Sequence, residues 1–236
     1  MDYVEFESIF HRRGPAAGIA AEIRTRLAAS TCPADGVIPT AEQIGAWRDE
    51  LLPTGRIRCL TGEHTAGTEP ADCPKRCTAT YWRVHSEDVA RNMSALADVT
   101  GGNVELWRAT GLVHDLDYLD GPHHDASVGS DVAHPLGIVR RFLAHGCVPE
   151  LTLAVLEHSP HLGLEPRTPL SCALVLCDEH ATMTAYGLVP DLGDEFAALT
   201  SVLRPARSRI GGYVRDDMQQ RARAAARGLA GAGGPA

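Results

Sequence analysis

Lysine is all but missing from this sequence. Lys75 is the single one, and arginine supplies the rest of the positive charge. The bias reads as codon usage, although arginine also suits phosphate recognition better than lysine does. Long apolar runs are missing as well. No stretch approaches the roughly 18 residues that a membrane-spanning helix needs, so no membrane partner is expected. The first residues, MDYVEFESIF, are acidic and carry neither the basic region nor the apolar core of a secretory signal, which makes the cytoplasm the expected location. Positive charge is not in excess. A net charge of −8 with neutral histidines makes nucleic acid a poor default partner, while a local patch could still hold phosphate. Seven cysteines, an odd number, argue against a disulfide framework in that compartment. Alternating strand patterns and internal repeats are not found.

What is present is ample material for a core. Hydrophobic residues at 44% and charged residues at 22% of 236 positions suit one domain with an appendage, or two small domains. Residues 1–80 and 81–225 read differently. The first part offers two helices, GPAAGIAAEIRTRLAAS and TAEQIGAWRDELLP, the second with Thr40 as N-cap and Pro53 as stop. From about Pro53 to Thr80 periodicity fades into a loop or a small pinned subdomain.

From Tyr81 onward apolar residues recur at helical spacing. Val84, Val89, Met93 and Leu96 share one face of a helix that stops at Gly101-Gly102, and Leu106, Ala109 and Val113 mark the next. HPLGIVRRFLAHG begins near Pro135 and stops at Gly146; VPELTLAVLEHSP stops before Pro160. TPLSCALVLCDEHATMTAYG is the most apolar segment, and EFAALTSVLRP and DDMQQRARAAARGLA complete the series. The expected fold is all-α: an N-terminal helical and loop extension over 1–80, a helical bundle over 81–225, and a flexible tail over 226–236.

The stretch GLVHDLDYLD sets an imidazole and a carboxylate side by side at the end of an apolar helix, His114 next to Asp115. Three more histidines, His85, His134 and His158, also stand where apolar helices begin or end. Asp178 lies mid-helix on a stripe with Leu170 and Leu174, where a carboxylate is costly unless paired or bound to a cation. Taken singly, each histidine reads as a polar helix end. Six such residues on five consecutive helices ask for a shared explanation. Imidazole nitrogen and carboxylate oxygen suit borderline divalent metals such as iron, manganese, cobalt, nickel or zinc, and a bundle core is a common place to hold them.

The order H…HD…H…H…D, carried by His85, His114-Asp115, His134, His158 and Asp178, resembles the HD superfamily of metal-dependent phosphohydrolases over roughly residues 81–225. GLVHDLDYLD, the His-Pro pair, AVLEH and ALVLCDEHATMTAYGLVP are similar to a bacterial branch of predicted hydrolases with an HDxDY…HP…H…DE pattern. The resemblance implies an HD-type helical bundle and one or two divalent ions. His85, His114, Asp115 and Asp178 would hold the first ion; Asp115, His134 and His158 would hold the second, with Asp115 bridging. GPHHDASVGSDVA lengthens the gap before His134, so His123 and His124 stand as alternatives, His134 being preferred as the helix-starting His-Pro.

By this resemblance, water activated by the metal would attack a phosphoric ester or anhydride of a small molecule, a nucleotide being one candidate, with His114 and Asp115 as the catalytic dyad. Arg83, two residues before His85, is a candidate phosphate binder. Asp117 and Tyr118 are candidates for orienting the ligands. Asp120 and the two histidines after it suit an exposed loop near the mouth. Two alternatives stay open. Some superfamily members use a mixed-valent di-iron centre with the same six ligands as oxygenases, and a ligand-binding or regulatory module could use the metal only to hold a phosphorylated signal. A homodimer is compatible with either.

CLTGEHTAGTEPADCPKRC adds Cys59, His64, Cys73 and Cys77, a set that could form a tetrahedral structural zinc site although its C-x₃-C spacing is irregular. The alternative is reduced thiols without a metal. This portion could equally serve as a lid, a specificity element or a dimer contact. Cys147, Cys172 and Cys177 sit beside apolar positions and are expected to be core thiols.

Overall fold

The computed structural model describes residues 3–10, 16–29, 36–52, 57–59, 62–64, 79–118, 134–207 and 216–232. In chain order these form α1 (Tyr3–Phe10), α2 (Ala16–Ala29), α3 (Ala41–Leu51), β1 (Ile57–Cys59), β2 (Gly62–His64), α4 (Ala79–Thr100) and α5 (Val104–Val113). Then come α6 (Leu136–Ala144), α7 (Pro149–His158), α8 (Pro169–Ala185), α9 (Ala197–Thr200) and α10 (Met218–Ala232). The fold is all-α. Among the described residues no helix is long and apolar enough to cross a membrane.

Helix ends follow local chemistry. The Thr40 side chain accepts from Gln43 N, and Gln43 returns the bond to Thr40 N, a complete capping box that starts α3. Asn103 caps α5 through Leu106 N at 3.1 Å. Thr168 caps α8 with Pro169 in its first turn. Gly101, at φ 77°, takes the left-handed conformation that ends α4 and lets the chain turn back at once into α5.

α8 is the axis of the core. Leu170, Ala173, Leu174, Leu176, Cys177 and Ala181 are all fully buried, with α4, α7 and α10 packed around them. The buried Glu157 on α7 accepts from Ser171 Oγ at 2.7 Å and Arg167 N at 3.1 Å, pinning α7 to the start of α8. α4 and α5 cross more closely still. A β-carbon at Gly111 would lie 2.6 Å from the α-carbon of Ala90, so only glycine permits this approach.

The structure departs from the sequence expectations in four places. Val84 is half-buried, whereas Val89, Met93 and Leu96 are buried as expected. EFAALTSVLRP forms one 3₁₀ turn at Asp194–Phe196 followed by the four-residue α9. β1 and β2 pair antiparallel with Ile57 opposite His64, a pairing of three-residue strands too short to leave a period-two pattern. The flexible tail assigned to 226–236 is corrected through Ala232. α10 continues to that residue, Ala226 and Leu229 are buried, and Gly228 lies so near Cys172 that a β-carbon there would be 2.6 Å from its sulfur.

The N-terminal helices pack onto the bundle: α1 on α6, α2 on α7 and α3 on α5. Trp47 faces Phe142 with ring centroids 6.1 Å apart. Val37 bridges the α6–α7 connection through main-chain bonds to Gly146 O at 2.9 Å and from Val148 N at 3.2 Å. Of the residues considered for structural zinc, Cys59 and His64 lie on the paired strands, while Cys73 and Cys77 lie outside the described residues. Cys147, Cys172 and Cys177 are free and buried, and burial raises the Cys147 thiol to about 11.

The close helix crossing gives the first prediction. Gly111→Ala should destabilise the fold by about 1–3 kcal/mol, because backbone cannot yield as a side-chain tip can. A lowered urea midpoint with an unchanged slope is the expected reading; an unchanged midpoint would contradict the contact.

Candidate metal centre

Five segments deliver the six residues to one place. His85 comes from the second turn of α4, His114 caps the end of α5, and Asp115 follows it. His134 precedes α6, His158 is the last residue of α7, and Asp178 sits midway along α8. After Val113 the chain continues in i→i+3 turns, Leu116 N to Val113 O and Tyr118 N to Asp115 O, so adjacent side chains reach the same cavity. All four histidines and Asp115 are buried. Asp178 is the least buried of the six, with 19% of its side chain exposed.

Asp115 divides its two oxygens between two groups. Oδ2 lies 3.4 Å from His85 Nε2 and 3.2 Å from His114 Nε2. Asp178 Oδ1 completes that group at 3.1 Å from His85 Nε2 and 3.9 Å from His114 Nε2. Oδ1 of Asp115 lies 3.2 Å from His134 Nε2 and 3.3 Å from His158 Nε2. Each group can place one ligand atom per residue within 4.8 Å of all the others. The structure therefore brings together every one of the six residues, and His123 and His124 lie outside the described residues.

The hydrogen bonds on the far side of the rings settle which nitrogen faces the cavity. His114 Nδ1 donates to Gly111 O at 2.9 Å, and His158 Nδ1 donates to Val155 O at 2.6 Å. A carbonyl only accepts, so both Nδ1 atoms carry hydrogen and both Nε2 atoms point inward. His134 Nδ1 faces the Asp117 carboxylate at 2.7 Å, which favours the same tautomer. The Nε2 atoms of His134 and His158 then stand 3.2 Å apart, and both cannot carry protons at once. Nε2 of His114 is buried and makes no hydrogen bond among the described residues. Inward lone pairs around a shared carboxylate fit a divalent transition cation.

Electrostatics point the same way. Burial disfavours charge on each imidazole, but Asp115 and Asp178 overcome it at His114 and hold that group up at about 10. Burial is likewise outweighed at His134 by Asp117 and Asp115, giving about 10. His158 is lowered, because burial and the charges of His134 and His114 exceed the help from Asp115. Burial would raise Asp115, yet His114, His134 and His158 hold it well below the ordinary carboxylate range. The carboxylates thus demand positive charge, which protons or a metal cation can supply in competition.

Residues around the six fix their orientation. Asp117 accepts from His134 with one oxygen and from Ile138 N with the other, at 3.0 Å, so it also caps α6, whose own N-cap residue, Pro135, offers no side-chain bond. Gly137 leaves room for that carboxylate: a β-carbon there would be 3.0 Å from its Oδ2. Tyr118 stacks on Trp82 with centroids 3.8 Å apart and lies 5.0 Å from the His134 ring.

Two positioning residues escaped the sequence reading. His161 Nε2 donates to His134 O at 2.7 Å. Arg221 donates to His158 O at 2.6 Å and pairs with the buried Glu179 at 3.2 Å. The repeated histidines in HSPHL were a usable signal for His161, whereas nothing local links Arg221 to a residue 63 positions away.

Arg83 is corrected. Residues i and i+2 diverge on a helix, so Arg83 leaves α4 in a different direction from His85. Its guanidinium binds Leu52 O at 2.8 Å and pairs with Asp49 at 2.9 Å, capping the end of α3.

No protein-family model, curated protein or solved structure matches this chain. The buried histidine and aspartate groups could hold a metal ion, and that statement rests on their geometry alone.

Asp117→Asn should weaken metal binding about 10–100-fold, since it removes the charge that orients His134. Competition against a metal-responsive dye measures this, and unchanged affinity would refute the orienting role.

Proposed function

We infer that this protein is an HD-type, metal-dependent phosphohydrolase acting on a small phosphorylated molecule, a nucleotide being one candidate. The observation that carries the reading is the division of the Asp115 carboxylate between two imidazole groups. His85, His114, Asp115 and Asp178 would hold one divalent ion, and Asp115, His134 and His158 a second. Iron, manganese, cobalt, nickel and zinc all suit this donor set. Bound there, such ions supply a water-derived nucleophile near neutral pH and polarise phosphoryl oxygens.

The chain's own contribution is placement. Asp115 sets the spacing between the two groups. Asp117, Gly111 O and Val155 O keep protons on the outward nitrogens, so the inward ones remain available. The apolar core around α8 excludes bulk water from most of the cluster and strengthens its fields. Partial exposure of Asp178 leaves one side for substrate to approach.

The test begins with metal analysis of protein purified without oxygen, followed by a phosphate-release screen with manganese or cobalt. Phosphate release without oxygen consumption supports hydrolysis. Substrate loss that requires oxygen would replace this reading with di-iron oxygenation, and binding without turnover would replace it with a regulatory module. Asp115→Ala should abolish release while far-ultraviolet circular dichroism stays nearly unchanged; full turnover in that variant would sink the assignment.

A further inference from the structure

We propose a second ligand site, separate from the histidine cluster, that binds a nucleotide-class molecule through its phosphates. It is a cleft of about 550 Å³ bounded by α3, α4 and α5. That size is within the usual range for small-molecule sites. Five arginines line it, Arg48, Arg83, Arg91, Arg108 and Arg207, against one acid, Glu87. In a chain whose net charge is −8, this is a pronounced local reversal of sign.

Ion pairs account for only part of that charge. Arg83 is engaged with α3, and Arg207 and Arg91 share the buried Asp88 at 2.6 and 3.1 Å. Arg48 has its nearest carboxylate, Glu87, at 3.6 Å, and Glu87 already pairs with Arg207 at 2.9 Å. Arg108 has no ion pair among the described residues. Two guanidinium groups therefore keep capacity for a ligand, Arg48 on α3 and Arg108 on α5.

Buried polar atoms add an independent indication. Ser86 Oγ, Arg48 Nε and Arg91 Nε are buried around this cleft without a hydrogen-bond partner among the described residues. Ser86 is only 3% exposed. Buried polar groups are rarely left unpaired, and all three of these can donate. They call for acceptor oxygens, which phosphate supplies with matching charge. Leu112, with Ile44 behind it, gives the same cleft an apolar side, suited to a base rather than to phosphate alone.

The cleft is close to the histidine cluster in sequence terms without sharing its residues: Ser86 follows His85, and Leu116 follows Asp115. The inference does not depend on the cluster being a hydrolase.

Calorimetric titration of the full-length protein, as purified with its metal, tests it with adenosine 5′-diphosphate and inorganic pyrophosphate as probes. A saturable component is expected for the nucleotide, several-fold tighter than for pyrophosphate. Ser86→Ala and Arg108→Gln should each weaken that component about tenfold or more, with bound metal and thermal midpoint unchanged. Ser86 makes no side-chain hydrogen bond among the described residues, so unchanged stability separates a ligand contact from a structural role. Chelation of the metal should leave the component in place. No saturable binding, binding that survives both substitutions, or loss on chelation with helicity intact would each overturn the proposal, and equal affinity for pyrophosphate would overturn the nucleotide class.

Discussion

One buried carboxylate organises this molecule. Asp115 has an imidazole nitrogen within 3.4 Å on four sides, and no apolar neighbour could stabilise its charge. An unpaired carboxylate in such a place is expensive enough to change protonation or structure. The surrounding helices are placed so that this does not happen. α4, α5 and α7 each bring an imidazole to it, the connection before α6 brings another, and α8 brings Asp178 to His85 and His114 of the same group. Their convergence explains why α8, the most apolar helix, tolerates Asp178 in its middle.

Precision around that carboxylate is built from backbone as much as from side chains. Two of the histidines are oriented by carbonyls three residues earlier in their own helices, a bond that any sequence can offer once the helix is formed. His134 lacks this resource because it precedes its helix, and Asp117 fills the role. The close α4–α5 crossing at Gly111 sits one turn before His114, so helix packing and ligand placement share the same few residues. Arg221 extends this outward, tying α10 to the end of α7 through a carbonyl and to α8 through a buried acid.

The helical series and the six-residue cluster were legible in the sequence because both leave periodic or ordered marks. Thr40 announced α3, glycines announced helix ends, and Asp178 stood out as a charge on an apolar stripe. Other features left no such mark. α1 is short, and its acidic residues hid an amphipathic helix whose Ile9 is buried. DDMQQRARAAARGLA was legible as a helix, but the buried face of α10 is mostly alanine, so its last turns, from residue 226, read as tail until α8 is seen beside them. Arg83 misled because proximity in sequence was taken for proximity in space, although two helical positions point about 200° apart. The arginine cleft could not be read at all, since it assembles residues from Ala41 to Arg207.

Asp117 carries a consequence of its own. The same side chain starts α6 through Ile138 N and aims His134. Fraying of that helix and slackening of that imidazole are consequently one event rather than two. If the cluster holds a cation, local opening of α6 would be felt as a leak of that ion and its occupancy would act as a clasp on the helix, so that amide exchange in α6 should slow in step with metal loading.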